Sequence, residues 1–201
     1  MHRANRKFWK YCRNKYSHYF RESSDILEVG SQDLNGSVRK YFVNFKQYIG
    51  VDWRAGRGVD VVCLAEDMHF DNKFDVVISC SMLEHDLHWN LSVVNMIKHL
   101  KDDGILLLSW GAALNPPHCQ DTAIDGKFHG LPAEHVIELI QQNGIYVHEF
   151  RYEGLLPFTT KRDYASEKGM GEVCLVGFKD PKHATGDKII DELLPEDKIR
   201  R

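Results

Sequence analysis

The sequence contains no CxxC pair, no apolar run long enough to cross a bilayer, no GxGxxG glycine pattern and no acidic residue among its first 21 positions. Each absence removes a class of protein. The five cysteines, Cys12, Cys63, Cys80, Cys119 and Cys174, are odd in number and widely spaced, which argues against a disulfide framework or a structural zinc site and fits reduced thiols in a cytoplasm. The longest apolar runs, "GILLLSWGAAL" and "VDVVCLA", fall well short of the roughly 20 residues a membrane-spanning helix requires. Charged residues also stand where a signal peptide would have its apolar core. A soluble, cytoplasmic protein without membrane contact is expected.

What is present begins with 201 residues, 43% of them hydrophobic, enough for one domain with a sizeable core. The net charge of -3 hides an asymmetry. Residues 1–21 carry seven basic side chains (Arg3, Arg6, Lys7, Lys10, Arg13, Lys15, Arg21), so 19 of the 26 basic residues face all 29 acidic ones in the rest of the chain, a net -10 there. Phe8, Trp9, Tyr11, Tyr16, Tyr19 and Phe20 are interleaved with the basic residues. Such a segment suits a nucleic-acid or phosphate-contacting arm, or an amphipathic helix that lays Phe8, Cys12, Tyr16 and Phe20, at steps of four, on the domain while its basic face is solvated. The second reading is preferred, with residues 1–22 a helix placed as a lid, because the acidic remainder argues against a long nucleic-acid track.

Beyond residue 22, strand and helix patterns alternate. Strands are expected over 25–30, 47–52, 59–65, 73–81, 104–110, 145–152 and 172–180, and helices over 36–44, 91–100 and 131–144, the last opened by Pro132 and closed by Gly144. This alternation points to an open, mostly parallel sheet wound on both faces. Two long irregular stretches, 111–130 and 153–171, interrupt the pattern, and such loops are often functional. Residues 23–180 make up the domain, and the charged residues 181–201 a tail or peripheral helix.

In such a sheet, ligands bind outside the carboxyl ends of the strands. Gly30 ends the first strand and Gly36 opens the expected helix, whose free N–H groups would face the same crevice. Asp52 ends the second strand, at the offset where an acid accepts both ribose hydroxyls. A glycine loop followed by such an acid indicates an adenosine-type cofactor. The loop itself reads "GSQDLNGS", not the nicotinamide pattern, and carries Asp33 with Glu28 just before it. Two carboxylates disfavour a pyrophosphate and attract an amino group or a sulfonium.

"LEVGSQDLNGSVR", "YIGVDWRAGRGVDVV", "LAEDMHFDNKFDVVISCSMLEH" and "LKDDGILLLSW" resemble, in order and spacing, the successive motifs of the class I S-adenosylmethionine-dependent methyltransferases. The resemblance spans about residues 25–150. It implies a three-layer α/β sandwich of Rossmann-like type, with a seven-stranded, mostly parallel sheet whose last strand is antiparallel, and S-adenosyl-L-methionine as cofactor. Carried over position by position, Glu28, Gly30, Ser31, Asn35 and Gly36 form the loop at the methionine end. Asp52 is similar to the ribose-binding acid, and Trp53 is placed along the adenine face. Ala65 and Glu66 fall at the adenine edge, whereas Leu64 stands where relatives have an acid. Cys80 and Ser81 flank the methionine portion.

Methyl transfer needs alignment, exclusion of water and, for a hydroxyl acceptor, a base. His85, His88, His118 and His129 are candidates, and His85 is preferred because it closely follows the fourth strand. Relatives with a Glu–His pair here sometimes bind a divalent metal, but Glu84 and His85 alone are too few ligands, and no metal is expected. The expected activity is methylation of an oxygen or nitrogen on a small or medium-sized polar acceptor, roofed by the N-terminal helix and the two long loops. The alternatives are a methyltransferase-like binding or scaffold protein without turnover, and a nucleotide-dependent oxidoreductase on a similar sheet.

Overall fold

The computed structural model describes residues 3–113, 123–153, 171–185 and 188–190. Strands β1 (Asp25–Val29), β2 (Gln47–Asp52), β3 (Val61–Val62), β4 (Phe74–Cys80), β5 (Leu100–Gly111), β6 (Tyr146–Glu153), β7 (Glu172–Phe178) and β8 (Ile189–Ile190) form one sheet in the order β3-β2-β1-β4-β5-β7-β6-β8. All neighbours pair in parallel except β7, which runs antiparallel to both β5 and β6. The seven expected strands are therefore present with the seventh reversed. The two residues of β8 add an eighth, within the segment read as a tail.

Period-two alternation gives the sheet two apolar faces. Ile26, Val76, Ile78, Ile105, Leu107, Val176 and Phe178 face one layer, and Leu27, Val77, Leu106, Leu108 and Leu175 face the other. The second layer is made by α3 (Trp89–Lys98) and α4 (Ala133–Gln142), whose Val93, Met96, Val136 and Ile140 point inward. The first layer comes from the N-terminus: α1 (Arg3–Lys15) and α2 (Ser17–Arg21) bury Phe8, Trp9, Cys12, Tyr16 and Phe20 against the strands. Burial of the aromatic stripe makes α1 a structural layer of the sandwich, not a lid outside it. Charges fasten it at its far end, where the buried Glu149 of β6 receives the Tyr16 hydroxyl and pairs with Lys15 at 2.9 Å and Arg151 at 3.1 Å.

The helix expected over 36–44 does not form. Only a 3-10 turn, Val38–Tyr41, stands between β1 and β2, started by Ser37 Oγ accepting from the Arg39 N–H at 3.0 Å. The space a crossover helix would fill is taken by α1 and α2, and Phe42 stacks instead on Phe20 with ring centroids 4.2 Å apart. The strand expected over 59–65 is reduced to the two residues of β3, at the sheet edge. Conversely, β5 begins earlier than expected, at Leu100, because "LKDDG" joins the ladder through an irregularity between Phe74 and Val76. Gly104 permits this close approach: a Cβ there would lie 2.9 Å from the Asp75 carbonyl oxygen and 2.7 Å from Leu100.

Among the described residues, no helix is long and apolar enough to cross a membrane. If α1 is part of the core, truncating its buried face must cost as much as a core cavity elsewhere. Trp9→Ala is expected to lower unfolding free energy by about 3–5 kcal/mol, and Lys10→Ala, on the solvated face, by less than about 0.5 kcal/mol. Urea titration of the two variants checks this, and a small effect of Trp9→Ala would show a helix resting on the sheet without supporting it.

Candidate functional site

The strand order reverses at β1, between β2 and β4, and a crevice of about 1130 Å³, open to solvent, lies across the carboxyl ends of these strands. Its wall brings together every cofactor residue expected from the sequence: Glu28, Gly30, Ser31, Asn35, Gly36, Asp52, Trp53, Ala65, Glu66 and Cys80, with Ser81 and His85 beside them. Residues 55 positions apart in the chain meet here because parallel strands deliver all their carboxyl ends to one edge.

The loop after β1 is built by backbone bonds to β2. Gly30 and Ser31 donate to the Val51 carbonyl at 2.8 and 3.0 Å. Gly30 has a φ of +79°, and a Cβ on it would stand 2.5 Å from the Met82 side chain, so only glycine lets the β1 and β4 ends pack this closely. Gln32 then donates its N–H to Asp52 Oδ2 at 3.1 Å, and Arg54 donates its own to Oδ1 at 3.2 Å. Each oxygen of Asp52 is thus fixed by one backbone donor and keeps accepting capacity for a ligand diol. Burial raises the Asp52 pKa despite these donors. Ser31 Oγ, buried at the crevice wall, has no hydrogen-bond partner and is free to meet a ligand.

The electrostatic expectation for this loop needs two corrections. The Gly36 N–H does not open a helix toward the crevice; it donates to Asp33 Oδ1 at 2.6 Å in a local turn. Asp33 also pairs with Arg57 at 3.1 Å, and it does not line the crevice. Glu28 alone of the two carboxylates lines the cavity. It accepts from the Tyr48 hydroxyl at 2.5 Å, and burial, partly offset by Tyr48 and Arg39, raises its pKa to about 7.

At the other end, Asn95 Nδ2 donates to the carbonyls of Ala65, Glu66 and Met68 at 2.9, 3.1 and 2.9 Å. This clamps the loop that presents Ala65 and Glu66. Glu66 in turn is held by His88 Nδ1 at 2.8 Å and Ser92 Oγ at 3.4 Å. Trp53 covers part of the mouth, with the Arg54 guanidinium 5.3 Å from its ring.

Of the candidate bases, His85 lines the crevice, with its ring edge-on to Phe128 at 5.7 Å. His88 is engaged with Glu66, His129 pairs with Asp125 at 3.1 Å, and His118 lies outside the described residues. Glu84 and His85 diverge, since Glu84 Oε1 accepts the Gly111 N–H at 2.9 Å, at the end of β5. Among the described residues, no group of three or more metal-ligating side chains is assembled. Most of the expected acceptor roof, residues 114–122 and 154–170, lies outside the described residues.

Among the wall residues that sequence reasoning missed, three have a definite part. Gln32 orients Asp52; Met82 fills the space left by Gly30; Asp86 is buried, accepts the His88 N–H at 2.8 Å and has its pKa raised by burial. Asp86 had a signal in "EHDLHW", an acid three positions before a helix start. Nothing local marks Gln32 or Met82.

No protein-family model and no curated protein matches this chain. Solved structures do. The chain superposes on 1,6-didemethyltoxoflavin-N1-methyltransferase of Burkholderia thailandensis, solved with 1,6-didemethyltoxoflavin and S-adenosylhomocysteine, with a TM-score of 0.61 at 12% identity over 86% of this chain and 76% of that one. It is similar to the N-methyltransferase NodS of Bradyrhizobium japonicum WM9, with a TM-score of 0.57 at 13% identity over 86% and 94%. The [4+2]-cyclase SpnF gives 0.61 at 15% identity over 86% and 80%. The fold is therefore that of the S-adenosylmethionine-dependent methyltransferases, Rossmann-like and three-layered.

Glu28 makes stability depend on pH in a defined direction. Its folded pKa lies above the unfolded one, so its contribution is fully present below about pH 4.5 and is lost as pH rises through about 7. Glu28→Gln keeps an acceptor for Tyr48 and removes the charge. Relative to wild type, it is expected to gain up to about 3 kcal/mol between pH 4.5 and pH 8. Urea titrations at the two pH values measure this, and a pH-independent difference would contradict the assignment.

Proposed function

We propose that the protein is an S-adenosyl-L-methionine-dependent methyltransferase acting on an oxygen or nitrogen of a small or medium-sized polar acceptor. The observation that carries this reading is Asp52, whose two carboxylate oxygens are each aimed by one backbone N–H at the end of β2, in the crevice that Gly30 and Ser31 enter from β1. A carboxylate so fixed suits the cis-diol of a ribose.

The rest of the wall supports the same occupant. Trp53, Cys63 and Ala65 offer apolar surface for an adenine ring, and Ser31 Oγ is a buried polar atom awaiting a partner. Glu28 faces the methionine end. A ligand ammonium would favour its ionised form, offsetting the burial that holds its pKa near 7. When bound, S-adenosylmethionine supplies an activated methyl group on a sulfonium that leaves readily. The protein must then position the acceptor and exclude water. His85, on the wall after β4, is the group placed to take a proton from a hydroxyl acceptor.

A second reading, cofactor or ligand binding without methyl transfer, is favoured by one observation: a cyclase shares this fold at a similar level of likeness. Fold alone does not select between chemistries. A nicotinamide dinucleotide suits the site less well, because the loop lacks the glycine pattern and Glu28 stands where a pyrophosphate would need donors.

Calorimetric titration with S-adenosylmethionine tests the reading directly. Asp52→Ala is expected to weaken binding about 100-fold, the loss of two hydrogen bonds to a charged group. Equal affinity in wild type and variant would sink the proposal. A nicotinamide dinucleotide should give no thermal shift where S-adenosylmethionine and S-adenosylhomocysteine do.

A further inference from the structure

Two carboxylates line the crevice beside the loop that follows β3, and the chain does not supply donors for all of their oxygens. Glu66 and Asp86 share this part of the wall, and Asp86 is only 4% exposed. His88 serves one oxygen of each: its Nδ1 lies 2.8 Å from Glu66 Oε1, and its backbone N–H donates to Asp86 Oδ1 at 2.8 Å. Beside the remaining two stands the Ser92 hydroxyl, which has a single proton to give. It donates to Glu66 Oε2 at 3.4 Å, and the buried Asp86 Oδ2 has no hydrogen-bond partner. Turning Ser92 toward Asp86 would only move the deficit to Glu66. Burial raises the Asp86 pKa, and the Glu66 charge adds to the rise, against hydrogen bonds from Ser92 and the His88 N–H. A buried acceptor short of a donor is costly until a ligand brings one.

The surroundings define that ligand. Asp52 ends β2, and Cys63, Ala65 and Glu66 follow β3, the neighbouring strand, so a diol held by Asp52 leaves the next group of the ligand against Cys63 and Ala65. Asn95 of α3 ties the Ala65 and Glu66 carbonyls to the helix that begins just after Asp86. Leu64 does not line the crevice and has no polar side-chain atom to offer. No cation is needed from the ligand, because the hydrogen bond to Glu66 raises the His88 pKa and gives the two acids a counter-charge within the chain. The missing group is therefore a neutral N–H donor on the edge of a flat, apolar ring.

We propose that Asp86 selects the base of the cofactor, its Oδ2 accepting an N–H from the exocyclic amine of a 6-aminopurine. The proposal rests on the methyltransferase reading above and names the residue that recognises its cofactor's base. A 6-oxopurine presents an oxygen at the same edge, against a carboxylate, and an unsubstituted purine presents no donor there. Asp86 is a binding residue and takes no part in methyl transfer. His88 positions it through the bond to Oδ1, and Ser92 holds the neighbouring Glu66.

Calorimetric titration of the full chain with three ligands tests this without turnover: S-adenosylhomocysteine, its analogue lacking the 6-amino group, and S-inosylhomocysteine, which has a 6-oxo group. Wild type is expected to bind S-adenosylhomocysteine at least about tenfold more tightly than the 6-deamino analogue, the effect of one hydrogen bond to a charged acceptor. Asp86→Asn keeps the shape of the side chain. The His88 N–H fixes the amide oxygen in the place of Oδ1, which puts the Nδ2 donor in the place of Oδ2. The variant is expected to lose that preference at least about fivefold and to bind S-inosylhomocysteine at least about threefold more tightly than wild type does. A misfolded variant cannot give such a gain. Equal affinity of wild type for S-adenosylhomocysteine and the 6-deamino analogue overturns the assignment, as does a preference unchanged by Asp86→Asn or an equal loss of all three ligands. Failure of wild type to bind S-adenosylhomocysteine at all would instead remove the methyltransferase reading, and is seen before any variant is compared.

Discussion

The structure depends on the burial of one aromatic stripe. Phe8, Trp9, Cys12, Tyr16 and Phe20 cover the sheet face made by β1, β4, β5 and β7, where the link between β1 and β2 supplies only a 3-10 turn. Removing this apolar area from water is the dominant favourable contribution available on that face. It also has a geometric result. The same helix that seals the sheet carries Asn5 to Ser81 and Trp9 Nε1 to within 3.4 Å of Cys80 Sγ, so the core layer and the end of the site are set by a single element.

Burial raises the pKa of three carboxylates in and around the site. Asp52 is held by two backbone donors that stabilise its charge against desolvation, Glu28 has one phenol donor and sits near neutrality, and Glu172 is pushed upward by burial and by Glu84. Lys15, Arg151 and Tyr16 surround Glu149, which fastens α1 to β6. Glu28 and Asp52 face the crevice, and Glu149 is structural.

Much of this was legible in the sequence. Period-two runs such as "DILEV" and "FDVVISC" located the strands, and the order of glycine loop and Asp52 located the crevice, because parallel topology leaves little choice about where strand ends converge. The error over 36–44 has a tertiary cause: "SVRKYFVN" has a helical pattern, but α1 and α2 already occupy the space it would fill, and local propensity lost to packing. The N-terminal segment was ambiguous for the converse reason, since a basic, aromatic helix has the same letters whether it covers a core or a polyanion. Gln32 and Met82 could not be found from spacing, because each acts through a neighbour from a distant strand or loop.

The aromatic stripe also has a consequence for how the chain reaches this fold. Its partners include Cys174, Val176 and Phe178, and its polar ties run from Lys7 to Glu153 and from Tyr16 to Glu149, separations of 146 and 133 residues. Contacts so distant in sequence slow folding, because a long loop must close before they form. During synthesis the stripe emerges well before these partners. Four large aromatic side chains, Phe8, Trp9, Tyr16 and Phe20, thus wait exposed until β7 arrives, and the segment that completes the native core is also the one most open to association before then.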